Sequence, residues 1–134
     1  MKSMPGMSDL HLLDTHVLLW AVAAPLRLKL QVRALIESRR YAASVASLWE
    51  LLNKKDKPDA PVKDPVAWWN EYVVGPRTRV LAIQAPHVSY LDRLPWLHRD
   101  PYDRILIAQA IVEKMVLVTS DDHILKYSVE TLHA

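Results

Sequence analysis

The sequence contains no cysteine, which excludes disulfide bonds, cysteine-ligated zinc and thiol nucleophiles. This composition suits a reducing cytosol, and we expect a cytoplasmic protein. Glycine is also scarce: the two glycines, Gly6 and Gly75, lie too far apart to form the phosphate-binding loop of a P-loop nucleotide enzyme. Asp14 and two histidines interrupt the apolar stretch from residue 10 to 24. Because charge is costly in a membrane core, we expect no membrane-spanning segment.

Charge of one sign does not dominate either, and the formal net charge of +2 is too small to indicate a nucleic-acid partner by itself. With 134 residues, of which 51% are hydrophobic and 24% charged, the chain suits one compact domain. We predict a flexible N-terminus at residues 1–9 and a single domain at 10–134. The span 27–57 contains eight basic and three acidic residues, which indicates either a basic rim that could bind phosphates or a solvated helix face.

Short apolar runs alternate with helical patterns along the whole chain. Such alternation predicts an α/β fold in which helices cover both faces of a mostly parallel sheet. The predicted strands are 10–13, 41–45, 80–83, 115–118 and, at an edge, 129–132. The predicted helices are 17–23, 26–36, 46–52, 64–74, 86–94, 101–113 and a last one from residue 121 or 122 to 127.

Acidic residues follow several of the predicted strands. Asp14 ends the first strand, Glu50 lies just after the second, and Asp121 follows the fourth. Parallel sheets bind ligands beyond the carboxyl ends of their strands, so these acids are expected at one edge. Clustered carboxylates repel one another unless cations are present, and Mg²⁺ or Mn²⁺ prefers such oxygen ligands. The cluster by itself therefore indicates a metal-dependent phosphodiesterase.

Each acidic residue also has a structural explanation when it is taken singly, since helix caps are common. Convergence at one sheet edge is what favours a metal site over four separate caps. The structural alternatives are a helix cap at Asp14, a capping box formed by Ser47 and Glu50, a helix start at 100–103, and another start signal at 119–122.

Four acidic segments occur in a recognisable order and spacing. They read LLDTHVLLW at 12–20, SVASLWEL at 44–51, HRDPYDRILIAQA at 98–110 and LVTSD at 117–121. With these motifs the chain resembles the PIN-domain nucleases, and specifically the VapC-type toxins of bacterial toxin–antitoxin pairs. The likeness runs from about residue 10 to the end, and the block around Asp103 is its most specific part.

The resemblance implies a three-layer α/β/α domain and an endoribonuclease that uses one or two Mg²⁺ or Mn²⁺ ions. It also implies a cognate VapB-like antitoxin, an RNA substrate and a homodimer. The family's first three acidic positions fall on Asp14, Glu50 and Asp103. The fourth falls on Asp121, with the adjacent Asp122 left open, and Ser120 is a candidate for orienting a ligand or water.

Several neighbouring residues are secondary candidates. Asp100 shares a helix face with Asp103, and we interpret Asp100 as the cap and Asp103 as the ligand. Arg104 is expected to brace the acidic cluster or to contact phosphate. His16 and His98 are candidates for acid–base groups or metal ligands, but hydrogen bonding in the core or a loop is the favoured interpretation, because no histidine pair has a helical metal-binding spacing.

The mechanistic hypothesis is in-line hydrolysis by a metal-activated water. Asp14 and Asp103 would be the principal ligands, while Glu50 and Asp121 would hold a second ion, a bound water or the leaving-group side. Two alternatives stay open: a structure-specific DNA nuclease that uses the same carboxylates, and a catalytically silent PIN-like module that binds RNA or a partner. The intact acidic set disfavours the silent module.

Overall fold

A five-stranded parallel sheet forms the centre of the domain. The computed structural model describes residues 10–134, so the flexible N-terminus predicted at 1–9 lies outside the described residues. The strand order is β3-β2-β1-β4-β5, and every pairing is parallel. The strands are β1 (His11–Leu13), β2 (Tyr41–Ser44), β3 (Arg79–Leu81), β4 (Val116–Thr119) and β5 (Thr131–His133).

Helices lie on both faces of this sheet. Neighbouring residues of a strand point to opposite faces. Accordingly Leu12 of β1 packs in one core with the helix at 101–113, and Leu13 packs in a second core with the helices at 15–23 and 30–38. The three-layer α/β/α fold predicted from the sequence is thereby confirmed. The helices are α1 (Thr15–Ala23), α2 (Leu30–Ser38), α3 (Val45–Lys54), α4 (Pro65–Trp69), α5 (Ala85–Tyr90) and α6 (Pro101–Glu113).

Most predicted elements form within one or two residues of their expected positions, but four helical predictions need correction. The helix expected at 26–36 begins only at Leu30, after a 3₁₀ turn at Pro25–Arg27, and the helix expected at 86–94 is α5 followed by a 3₁₀ turn at Leu91–Arg93. The helix expected from 121 or 122 to 127 is wrong, since the chain forms only a single 3₁₀ turn at Ile124–Lys126. The Asp121 side chain accepts a hydrogen bond from the His123 amide (2.8 Å), as a helix cap would, but the backbone is already extended at Tyr127, so only one turn forms. The helix expected at 64–74 is α4 followed by a π-helical segment at Asn70–Val74.

A buried polar contact fixes α6 against the sheet. The Gln109 side chain is fully buried, and its Oε1 accepts a hydrogen bond of 2.6 Å from the Ser44 hydroxyl at the end of β2. Its Nε2 donates to the Ala82 carbonyl, just beyond β3 (3.2 Å). Buried polar groups are stable when they are satisfied in this way. Within residues 10–134, no helix is both long enough and apolar enough to span a membrane.

Candidate metal centre

Asp14 lies at the carboxyl end of β1 and is almost completely buried. Its Oδ1 accepts a hydrogen bond from the Val17 amide (2.8 Å) and so caps α1. Its Oδ2 accepts one from the Thr119 hydroxyl (2.6 Å), because the register that pairs Leu13 with Val118 brings the next two residues side by side. Burial raises the pKa of Asp14 despite these two hydrogen bonds. The cap predicted here exists, and the same carboxylate also faces the other acids.

Glu50 lies in the middle of α3, so the structural alternative of a capping box with Ser47 is wrong. Ser44 caps this helix, and Ser47 instead accepts a hydrogen bond from the Thr15 hydroxyl (2.9 Å). The Glu50 side chain is buried, and its Oε2 lies 2.5 Å from the Lys54 ammonium. Its Oε1 is also buried, and it has no hydrogen-bond partner within residues 10–134. An unpaired buried carboxylate oxygen is costly, and a bound cation would relieve this cost.

Asp103 lies in the first turn of α6, where Asp100 is the N-cap. The Asp100 side chain accepts hydrogen bonds from the amides of Tyr102 (2.9 Å) and Asp103 (3.0 Å), which confirms the predicted cap. Burial, together with the negative charges of Asp100 and Glu50, raises the pKa of Asp103 to about 7, although nearby His98 lowers it. The carboxylate that the sequence assigns as a ligand is therefore strongly destabilised as an anion without a metal.

His98 brings Asp103 and Asp121 together. Its Nε2 lies 2.8 Å from Asp103 Oδ2 and 3.3 Å from Asp121 Oδ2, and its Nδ1 accepts a hydrogen bond from the Asp100 amide (3.3 Å). One ligand atom from each of His98, Asp103 and Asp121 lies within 4.8 Å of the others, a spacing that suits one metal ion. Sequence analysis named His98 as a candidate acid–base group or metal ligand but favoured hydrogen bonding in the core or a loop. Its place at the start of the 98–110 motif was the signal for a role in the site.

Asp121, and not Asp122, turns toward the acidic cluster. Burial alone would raise the pKa of Asp121, but hydrogen bonds from the His123 amide and from His98 outweigh it and lower the pKa. The negative charge of Asp121 also contributes to the raised pKa of Asp14. Asp122 is exposed to solvent. Ser120 is half-buried and makes no hydrogen bond to another residue of the 10–134 region, so its orienting role stays a prediction.

Thr119 is a site residue that the sequence analysis missed. Its buried hydroxyl donates to Asp14 Oδ2 (2.6 Å) and accepts a hydrogen bond from the Asp121 amide (3.0 Å). This one hydroxyl therefore sets the position of two acidic residues from neighbouring strands. Its place two residues before Asp121 in the LVTSD motif was the available signal.

Arg104 does not brace the acidic cluster, and that expectation is wrong. Its side chain is buried beneath the segment that precedes α6. The guanidinium donates hydrogen bonds to the carbonyls of Pro95 (2.9 Å), Leu91 (3.3 Å) and Leu94 (3.4 Å), and to the Tyr127 hydroxyl (3.3 Å). On a helix, the residue after Asp103 points about 100° away from it, which explains this orientation.

A cleft of about 240 Å³ opens beside Glu50 and carries part of the predicted basic rim. Lys54 and Lys57 line it together with His16. Basic residues from the earlier part of the 27–57 span have other contacts: Arg27 lies over the Trp20 ring, Lys29 contacts His133, and Arg39 contacts the Pro76 carbonyl. Positive charge next to the acids thus comes mainly from the C-terminal part of α3 and the loop after it.

The donor set as a whole fits a divalent cation. Asp14, Glu50, Asp103 and Asp121 are close enough for their charges to affect one another's ionisation, and three of them are carried at the carboxyl edge of the sheet or in the first turn of α6. Hard cations such as Mg²⁺ and Mn²⁺ bind carboxylate oxygens, and Mn²⁺ also accepts imidazole nitrogen. The unpaired Oε1 of Glu50 is consistent with this fit.

Comparison with known structures identifies the fold. The crystal structure of DNA-bound VapBC from Salmonella typhimurium is similar with a TM-score of 0.69 and 17% identity, over 92% of this chain and 97% of that chain. VapBC2 from Rickettsia felis, bound to a promoter DNA fragment, gives a TM-score of 0.64 and 15% identity (92% and 98% covered). FitAcB from Neisseria gonorrhoeae gives a TM-score of 0.62 and 18% identity, over 92% of this chain and 96% of that chain.

Comparison by sequence identifies the family. No curated protein matches this chain. The model of the PIN domain family, however, matches residues 11–130, which include every strand except the last and all four converging carboxylates. The match thus agrees with the motifs read from the sequence and with the architecture of the domain, and the chain belongs to the PIN domain family.

Proposed function

We propose that this protein is a metal-dependent endoribonuclease and the toxin of a type II toxin–antitoxin pair. The observation that carries the nuclease proposal is the convergence of Asp14, Glu50, Asp103 and Asp121, with a buried Glu50 oxygen that lacks a partner within residues 10–134. The toxin role is supported by the motifs shared with VapC-type toxins and by the fold shared with chains of VapBC complexes. A VapB-like antitoxin, a homodimer and a cytoplasmic location belong to the same proposal.

The chemistry follows from how these side chains are held. One or two Mg²⁺ or Mn²⁺ ions, when bound, would lower the pKa of a water molecule and neutralise phosphate charge. Asp14 and Asp103 would be the principal ligands, and Glu50 and Asp121 would support a second ion or the leaving-group side. Thr119 holds Asp14 in position, and the cap that Asp100 provides directs the first turn of α6, so the ligands are oriented before substrate binds.

Incubation of antitoxin-free protein with total RNA tests the proposal directly. With Mg²⁺ or Mn²⁺ we expect new RNA ends at defined positions, mapped by sequencing, and with a chelator we expect none. RNA left intact in both metals would contradict the ribonuclease proposal. Cleavage of duplex or branched DNA, with RNA untouched, would assign the same centre to a DNA nuclease.

The fourth acid can be identified with a matched pair of variants. Asp121→Asn is expected to lower the cleavage rate by about 10- to 100-fold, because it removes a carboxylate from the centre. Asp122→Asn, one residue further along and exposed, is expected to keep the rate within about twofold. Initial rates of cleavage of one labelled RNA by the two variants show which residue is the fourth acid. A large loss with Asp122→Asn and a small loss with Asp121→Asn would assign the role to Asp122.

Thr119→Val tests the positioning role of the buried hydroxyl. Valine has nearly the same shape but removes both hydrogen bonds, so we expect a loss of about 1–3 kcal/mol in the free energy of unfolding. Cleavage is expected to fall by about 10- to 100-fold. Urea denaturation and initial rates measure the two effects. Ser120→Ala is the control, and a larger rate loss there would give the orienting role to Ser120.

A further inference from the structure

Trp96 is a large aromatic side chain that the fold leaves exposed. About 76% of its surface is accessible, although it lies only two residues before His98 of the candidate metal centre. Two residues of chain span at most about 7 Å, so the backbone of Trp96 is close to that centre. Exposed tryptophan is uncommon, and a solvent-facing indole next to a functional site indicates a contact surface.

The exposed indole ring is held in place by contacts on one of its faces. The Arg104 guanidinium lies 3.9 Å from the centre of the indole ring, and hydrogen bonds to three backbone carbonyls fix it in place. The Tyr127 hydroxyl also ties down the segment that carries Trp96: it donates to the Pro95 carbonyl (2.9 Å) and accepts from the His98 amide (2.8 Å). The indole is therefore pre-organised, with one face on a cation and the rest open to solvent.

A cavity of about 530 Å³ lies beside this ring. Its lining combines apolar side chains with two arginines and one carboxylate: Leu91, Leu94, Trp96, Pro101, Arg99, Arg104 and Asp92. Arg99 is exposed. An aromatic face next to arginine suits a nucleotide, since a base stacks on the ring and its phosphate pairs with the guanidinium. Two arginines against the single carboxylate of Asp92 give this lining a net positive charge, and this favours a polyanion such as nucleic acid as the occupant.

We propose that Trp96 is a stacking platform for an unpaired base of single-stranded RNA, and that Arg99 contacts the phosphate beside that base. This inference rests on the proposed ribonuclease function and names a subsite of it. The base would lie a short distance along the strand from the bond that is cut, because Trp96 lies two residues before His98 of the candidate metal centre. Since stacking does not depend on base identity, the platform selects unpaired RNA over duplex RNA rather than one sequence.

Binding of a fluorescein-labelled single-stranded RNA to the full-length Asp103→Asn variant tests the platform without cleavage. Starting from that variant, adding Trp96→Leu is expected to raise the Kd by about 5- to 100-fold, and adding Trp96→Phe to raise it much less, because phenylalanine keeps a ring and leucine does not. Leu26→Ala, which alters another highly exposed apolar side chain, is the control and is expected to leave the Kd unchanged. Circular dichroism and Tm verify that each variant folds.

A series of RNAs, each with a single abasic site at a different position, distinguishes base stacking from non-specific binding. One abasic position is expected to weaken binding when Trp96 is present, and to have no further effect with Trp96→Leu. Equal Kd values for the leucine and phenylalanine variants would overturn the proposal, as would unchanged RNA affinity accompanied by lost binding of an antitoxin protein. If the wild type cleaves RNA but Trp96 proves irrelevant, only this inference fails. If the wild type neither binds nor cleaves RNA, the proposed function fails with it.

Discussion

Asp103→Asn is expected to abolish most metal-dependent RNA cleavage while the protein stays folded. The change keeps the size of the side chain but removes the negative charge of a carboxylate that burial, Asp100 and Glu50 destabilise. A metal ion held by such a ligand contributes several kcal/mol to the stabilisation of the transition state of phosphodiester hydrolysis. The expected loss is therefore at least about 100-fold in rate. Single-turnover cleavage of a labelled RNA in Mg²⁺ and in Mn²⁺ measures it.

An exposed aspartate provides the matched control for this experiment. Asp56→Asn makes the same chemical change in the loop after α3, and we expect it to leave the rate unaltered. Near-normal cleavage by folded Asp103→Asn would remove Asp103 from the centre. A similar loss in Asp56→Asn would point to a general charge effect on RNA binding.

The same substitution is expected to make the metal-free protein more stable at pH 8. In the folded chain the pKa of Asp103 is about 7, against an ordinary value of 3.8. As the pH rises from about 4 to 7, the unfolded chain loses this proton while the folded chain keeps it, so the stability of the wild type falls. The wild type loses about 2 to 4 kcal/mol in the free energy of unfolding, and this loss is complete above pH 7. Asp103→Asn has no carboxyl group to titrate at this position, so its stability does not fall in this way.

Urea denaturation in a chelator, across pH 5 to 8, measures this difference between wild type and Asp103→Asn. The wild type is expected to lose stability relative to the variant as the pH rises. Saturating Mg²⁺ or Mn²⁺ is expected to restore the free energy of unfolding of the wild type at pH 8. The same ions are expected to raise the stability of the variant less, because metal binding stabilises only a folded chain that can bind the ion. A stability difference that does not change with pH would contradict the raised pKa.

The order of elements could be predicted from the sequence because strand and helix patterns are local. Each strand of the sheet was expected within about two residues of its place, and the start of α6 was marked by Asp100 and Pro101. The last predicted helix stops after one turn, where the backbone becomes extended at Tyr127. The Tyr127 hydroxyl is bonded to Pro95 and His98, much earlier in the chain, and a local hydrophobic pattern cannot reveal such contacts.

The acidic centre was partly predictable for a related reason. Parallel strands bring their carboxyl ends together, so the acids that follow strands were expected to meet. Contacts between residues that lie far apart in the sequence could not be predicted from local motif spacing. Thr119 and Asp14 are 105 residues apart, and His98 and Asp121 are 23 apart. The capping box at Glu50 failed similarly, because Ser47 finds its partner 32 residues away in Thr15.

The buried amide of Gln109 has a consequence for the centre although it does not belong to it. Gln109 lies six residues after Asp103 on α6, a rise of about 9 Å, and it is anchored to β2 and to the chain after β3. A slip of α6 by one residue would shift Asp103 by about 1.5 Å and rotate it by about 100°. The amide thus prevents α6 from sliding along its axis, and the spacing between carboxylates from different elements depends on a hydrogen bond at the end of β2 in which no carboxylate takes part.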